Sequence, residues 1–330
     1  MKYRKFGKTD LEVSEIGFGA WGIGGPTMVG EVPIGWGEVN DTTSIYALNK
    51  AFDRGINFFD TADFYGLGHS EELIGKVFGN SGKVIIATKG GHVISDDKKP
   101  AVDYSKKRII KACEESLIRL KRDQIDYYQL HSARLEHFLQ GDCIEAMHEL
   151  EAMGKIRYWG VSLNTFNPFP EAEYLFTNNL GHGIQIVLNL INQKAAILAK
   201  EASEKGFGVI ARMPVQFGLL TGKFTVETTF RENDHRRFRL TPEILVKAIE
   251  DLKPVWQIQE AYGISKTEFA LSFILSLKGV STVIPGIKTP EQAIMNTQNL
   301  IRIKAEHMEI LADLYDKSLR YLLDMMERQG

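Results

Sequence analysis

The chain has 330 residues, of which 44% are hydrophobic and 25% charged, with a formal net charge of -2. That composition is ordinary for a globular protein, and the length suits one large α/β barrel spanning residues 1–330 as a single domain. The near-neutral charge offers no basic surface for nucleic acid or an anionic membrane, and no apolar run is long enough to cross a bilayer.

The opening Met1–Gly7 has no apolar core behind its charges, so no signal peptide is expected. Residues 2 to 14 read as two short strands around Gly7-Lys8-Thr9-Asp10, a hairpin placed to plug the bottom of a barrel. Strand patterns then begin near Ser14, Asn57, Val84, Asp126, Tyr158, Gly183, Phe207 and Ser281. Helical patterns lie between them: 41–54, 70–78, 104–122, 136–153, 170–179, 195–205, 242–262, 266–277 and 291–300. This alternation predicts a (β/α)8 TIM barrel rather than an open sheet. A helix before the last unit and another from about 304 to 327 exceed the count. The C-terminal one has enough Leu, Ile and Met to be a lid under the barrel or an interface, so monomer and weak homo-oligomer both stay open. Ser265–Glu268 and Thr289–Gln292 read as capping boxes, with Pro290 at a first helical position. Two long irregular stretches, 22–40 and 214–241, follow barrel strands and should overhang the active-site end. Cys113 and Cys143 fall in helices and read as reduced thiols, which points to a cytoplasmic protein.

The chemistry gathers at strand ends, where α/β barrels bind ligands. Asn57–Phe59 forms a buried strand, Asp60 stands where it gives out, and Tyr65 follows on the loop. The strand beginning at Lys83 ends on Lys89, and the strand 125–131 ends on His131. A loop Asp, a surface Tyr or a lone His each has a structural reading of its own. A lysine behind a run of Val, Ile and Ala needs a carboxylate partner, however, and Asp60 is available. A phenol, whose free pKa is about 10, donates a proton better with an ammonium beside it. Lys89 would supply that charge, Asp60 would hold Lys89, and His131 would orient a carbonyl oxygen beside Tyr65.

Two look-alikes are set aside. Gly17-Phe-Gly19-Ala-Trp-Gly22 matches a dinucleotide fingerprint, but no helix opens before Asp41. Gly218-Leu-Leu-Thr-Gly222-Lys223 is one residue short of a phosphate loop. Metal-ligand spacing is absent. Gly286 and Lys288 before a helix start read as an anion site, with a solvated lysine as the alternative. Gln185 inside an apolar strand reads as a ligand contact.

The run Asp60-Thr61-Ala62-Asp63-Phe64-Tyr65-Gly66, the Thr88-Lys89 strand end and the Leu130-His131 strand end resemble the aldo-keto reductase superfamily, most nearly its bacterial general-stress branch. The resemblance implies NADPH-dependent reduction of aldehydes, and of ketones, with Tyr65 as general acid, Lys89 and Asp60 tuning it, and His131 orienting the substrate. It implies nicotinamide contacts from Ser162, Asn164 and Gln185, although Leu163 stands where the family places Ser and Asn together. It further implies that Gly218, Leu220 and Lys223 cover the pyrophosphate. Pro285, Gly286, Lys288 and Thr289 would meet the adenosine phosphate, Gln292 and Asn296 the adenine, and Gly19 and Trp21 complete the cofactor set. Lys288 favours a 2′-phosphate, hence NADP over NAD. Arg212 stands where many relatives have Ser, and its position suggests a cofactor or substrate contact. Trp21, Phe64 and Trp36 are the candidates for the substrate pocket. The charge run from Arg231 to Arg239 reads as a solvated loop, with an Arg reaching the cofactor phosphate as the alternative. A nucleotide-binding auxiliary or sensor subunit with slow turnover is the alternative. A cofactor-free isomerase or lyase would leave Gln185 and the Lys288 segment unexplained.

Overall fold

The computed structural model describes every residue except Trp36, Asn233 and Gly330. An antiparallel hairpin, β1 (Tyr3–Lys5) and β2 (Glu12–Ser14), leads into β3 (Phe18–Gly19). A second small hairpin pairs β4 (Met28–Val29) with β5 (Val32–Pro33). Next come β6 (Phe58–Asp60) and β7 (Ile85–Gly90), then a third hairpin of β8 (His92–Ile94) and β9 (Pro100–Val102). The chain continues through β10 (Ile125–His131), β11 (Ile156–Ser162), β12 (Gly183–Val187), β13 (Gly208–Arg212) and β14 (Thr282–Ile284).

Eight of these strands form one parallel sheet in the order β3, β6, β7, β10, β11, β12, β13, β14. Parallel bridges Ile16↔Val283 and Gly19↔Gly286 join its two edges. The result is the (β/α)8 barrel read from the alternation of elements. Ser14 ends the N-terminal hairpin, so the first barrel strand lies a few residues later than its apolar start suggested.

The hairpin closes the N-terminal end. Phe6 at its tip is fully buried against Phe58, Ala87, Tyr127 and Ile210 inside the barrel. Burying such a ring contributes about 1.5–3 kcal/mol. The ring fits because Gly208 carries no side chain: a Cβ there would lie 2.5 Å from Phe6. The outer core fills the space between strands and helices.

Helices follow the strands in sequence. Asn40 caps Asp41–Asp53 by accepting from the Thr43 amide, and Ser105 does the same for Lys106–Leu120 through Arg108. Ser265 and Glu268 form the expected reciprocal box at Lys266–Ser276. At Pro290–Met295 only half of the expected box forms. Thr289 accepts from the Gln292 amide, while the Gln292 side chain accepts from Lys288 N–H. Two helices expected as single rods are broken. Gly141, at φ 90°, separates Leu135–Gln140 from Asp142–Ala152. Pro254 lacks the amide that would continue Pro242–Asp251, so Lys253–Glu260 starts anew.

The C-terminal segment runs through Ala305–Leu314, a π-turn at Tyr315–Leu319, and Arg320–Glu327. It is not a lid under the barrel. Met326 receives a hydrogen bond from Gln216, on the loop after β13, so the segment braces the other end. Both cysteines are buried and unpaired, and among the described residues no helix is long and apolar enough to cross a membrane.

Candidate active site

The C-terminal ends of the barrel strands open into a cavity of about 660 Å³. Strand register sets its floor. Asp60 pairs with Ala87, so Lys89, two residues further along β7, projects from the same face just above it. Gln129 stands opposite Lys89, and Ser162 lies between His131 and Gln185.

The Lys89 ammonium is fully enclosed, at 0% exposure, and Asp60 is 1% exposed. Lys89 donates to Asp60 Oδ1 at 2.6 Å, to the Thr61 carbonyl at 2.7 Å and to the Tyr65 hydroxyl at 3.3 Å. Its three protons thus have three acceptors, which is what a buried ammonium requires. Burial alone would pull its pKa down, but Asp60 and then Tyr65 outweigh that and hold it above the ordinary lysine value. The second Asp60 oxygen accepts from Gln129 at 3.1 Å and from Gln185 at 2.8 Å. Ser162 in turn donates to Gln185 Oε1 at 3.3 Å. Gln129 was not singled out from the sequence. Its only signal was a buried amide in an apolar strand, the same signal that marked Gln185.

Tyr65 is held by the turn after β6. Its amide donates to Ala62 O, and Gly66 follows at φ 65°. Gly66 also packs against the loop after β3, where a Cβ would meet Gly24 O at 2.2 Å. The phenol ring meets His131 edge-on at 5.8 Å and stacks beneath Trp21 at 5.9 Å. His131 is held well below the ordinary histidine range by burial, then by His92, Lys89 and Arg212. It is therefore a neutral imidazole near neutral pH. Its Nδ1 is buried without a hydrogen-bond partner among the described residues. His92, on β8, packs at 4.3 Å from His131 and was missed in the sequence because it follows the strand end as an ordinary loop residue.

The two long loops do overhang this end. Trp21 Nε1 donates to Ile34 O, and the His235 ring lies 5.7 Å from the Trp21 ring, so both loops meet over it. Phe64 lines the cavity and packs on His92. Trp36 lies outside the described residues. The run 231–239 is not simply a solvated loop, because Arg236 and Arg239 line the cavity. Arg236 pairs with Asp234 at 2.6 Å. Lys288 faces the same group; burial and then Arg236 lower its pKa, and Asp234 partly offsets them.

Of the expected cofactor residues, Gly19, Trp21, Gln185, Arg212, Gly218, Lys223, Pro285, Gly286, Lys288, Gln292 and Asn296 line the cavity. Ser162 reaches it only through Gln185, Leu220 is buried behind the wall, and Thr289 serves as a helix cap. Asn164 is turned into its own loop, where its side-chain oxygen accepts from the Phe166 and Asn167 amides at 2.9 and 2.8 Å. The intervening Leu163, fully buried, accounts for that turn. Among the described residues no group of three or more His, Cys, Asp and Glu side chains comes together as a metal site.

Residues 15–316 match the Aldo/keto reductase family. The chain belongs to the aldo/keto reductase family. It is 33% identical over 318 residues to the uncharacterized oxidoreductase YqkF of Bacillus subtilis, covering 94% of this chain and 95% of the relative. Among solved structures it is similar to the aldo-keto reductase AKR11C1 from Bacillus halodurans in its holo form, with a TM-score of 0.76, 28% identity, and 95% and 96% of the two chains covered. It is similar also to the glycerol dehydrogenase AKR11B4 from Gluconobacter oxydans, with a TM-score of 0.76, 28% identity, and 96% and 95% covered. The chain is an oxidoreductase of this family, whose members generally use a nicotinamide cofactor.

Proposed function

We propose that this aldo/keto reductase reduces aldehydes, and ketones, to alcohols with NADPH. The observation that carries the reading is the Lys89 ammonium held between Asp60 at 2.6 Å and the Tyr65 hydroxyl at 3.3 Å at the cavity floor. The cavity suits the cofactor. One end carries Tyr65, His131 and Gln185, and another wall carries Lys288 and Arg236, which crowd each other electrostatically. With Asp234 these three charges sum to one net positive, which favours an additional phosphate and hence NADPH over NADH. Gly286 leaves its backbone approachable, since no atom lies within 4 Å of where a Cβ would be. The Bacillus halodurans relative is known in a holo form.

When bound, the reduced nicotinamide supplies the hydride. Tyr65 holds the proton that the substrate oxygen takes up. Lys89 stabilises the phenolate that remains, and Asp60 keeps Lys89 charged and aimed. His131, neutral and close to Tyr65, offers a ring N–H to the same oxygen and fixes where the carbonyl sits. Trp21, Phe64, Ile34 and Phe217 give the cavity apolar walls, which suit a small, partly apolar carbonyl compound.

The test is a cofactor titration joined to steady-state assays over a panel of small aldehydes and ketones. The proposal requires tight NADPH binding, weaker NADH binding and carbonyl-dependent loss of NADPH absorbance. Tight binding with negligible consumption across the panel would favour a nucleotide-holding auxiliary subunit instead.

A further inference from the structure

Arg212 ends β13 and lines the cavity, yet among the described residues no carboxylate lies within ion-pair distance of it. Its Nη2 donates to the Leu163 carbonyl at 3.1 Å and to the Thr165 hydroxyl at 3.2 Å. Among the described residues its Nη1 reaches only the Met213 sulfur, and its Nε is buried with no partner. Neutral acceptors thus hold the guanidinium in place and leave its charge uncancelled. Arginine cannot relieve this by losing a proton at any working pH.

The other groups at this end do not cancel it either. Lys89 and Asp60 neutralise each other at 2.6 Å. His131 and His92 are both kept below the ordinary histidine range, burial being the main cause for each. Tyr65 and Asp60 are close enough to act on the Arg212 charge. The reactive end of the site therefore carries one net positive charge. A hydride donor serving a carbonyl at Tyr65 must bring its nicotinamide to this end.

The two redox forms of that ring differ by one positive charge: the reduced ring is neutral and the oxidised ring is cationic. We infer that Arg212 makes the site discriminate between them, binding NADPH in preference to NADP+, so that the enzyme is loaded for reduction in a mixed cofactor pool. The phosphates are common to both forms and cancel from the comparison. Repulsion between two like charges several ångströms apart, at the screening typical of protein sites, corresponds to about tenfold or more in relative affinity. The inference rests on the proposed nicotinamide-dependent function and adds to it a charge-based selection of redox state.

The test measures dissociation constants for NADPH and NADP+ by calorimetry, without turnover, on the wild type, Arg212→Met and Arg212→Lys. The wild type should bind NADPH at least about tenfold tighter than NADP+. Arg212→Met should bring the ratio near one, mainly by gaining affinity for NADP+, and Arg212→Lys should keep the wild-type ratio. Equal wild-type affinities would overturn the inference with no variant needed. So would an Arg212→Met protein in which both affinities fall together, since that describes an ordinary cofactor contact. If neither form binds the wild type, the nicotinamide reading fails and takes this inference with it.

Discussion

Asp60→Asn tests the electrostatics of the cavity floor. The substitution keeps the shape and removes the only carboxylate on Lys89 among the described residues, at 2.6 Å. It also places an amide donor where Gln129 and Gln185 now donate to Asp60 Oδ2. Breaking one partner of a buried ion pair costs about 3–5 kcal/mol. For 330 residues that is a melting-temperature loss of about 4–7 °C at neutral pH. The pH dependence is more diagnostic. In the wild type the Lys89 pKa is raised, so its stabilising effect is complete below the unfolded value of about 10.4 and fades as pH rises through the folded value. In the variant burial acts without the counter-ion and depresses the folded value. Its penalty is then largest near neutral pH and is relieved as pH climbs toward about 10.4. Denaturant titrations of both proteins from neutral pH to pH 10 should show the stability gap narrowing. A gap below about 1 kcal/mol that does not change with pH would refute a buried, charge-paired Lys89.

Asp63, on the turn that carries Tyr65, is buried with neither oxygen hydrogen-bonded among the described residues, and the Arg108 guanidinium lies 3.9 Å from it. Burial, then Glu71, push its carboxyl up to about 8. The stability this gives is complete below the unfolded value and is lost as pH rises from there through about 8, so Asp63→Asn should be more stable than the wild type at pH 8 by on the order of a few kcal/mol. The advantage should shrink at pH 5, as denaturant titrations at both values would reveal. Gly208→Ala should destabilise by about 1–3 kcal/mol because the new methyl meets the Phe6 ring, and Phe6→Leu in the same chain should recover part of the loss. Thermal melts of the two single variants and the double variant check this; additive losses would mean that the ring does not fill that space. His131→Ala should lower kcat/KM by about 10²–10³ while leaving NADPH affinity within about threefold.

The sequence revealed the barrel because its strands are apolar runs ending at polar groups and its helices start on Asn40, Ser105, Ser265 and Thr289. Asp60, Tyr65, Lys89 and His131 were readable because each interrupts an apolar pattern at a strand end. Gln129 was hidden, since nothing in a strand pattern says which partner a buried amide faces. The Asp60–Ala87 register decides that. Which arginines of the 231–239 run reach the cavity was not readable, because a charge run carries no information about the loop's path across the barrel mouth. Asn164 was drawn toward the cofactor by motif position, but Leu163 shifts the phase, and the side chain closes a local turn instead. The hairpins β4–β5 and β8–β9 escaped notice because their short strands lie inside loop stretches, 22–40 and the segment between β7 and the helix Lys106–Leu120, with no apolar run of their own.

Carbonyl reduction at this site depends on the proton held by Tyr65. A single-turnover experiment with preformed NADPH complex and a good aldehyde, following the loss of reduced-nicotinamide absorbance, isolates that step. Tyr65→Phe should bind NADPH within about twofold of the wild type and react about 10²–10⁴-fold more slowly. A Tyr65→Phe protein that reacts at the wild-type rate would contradict it.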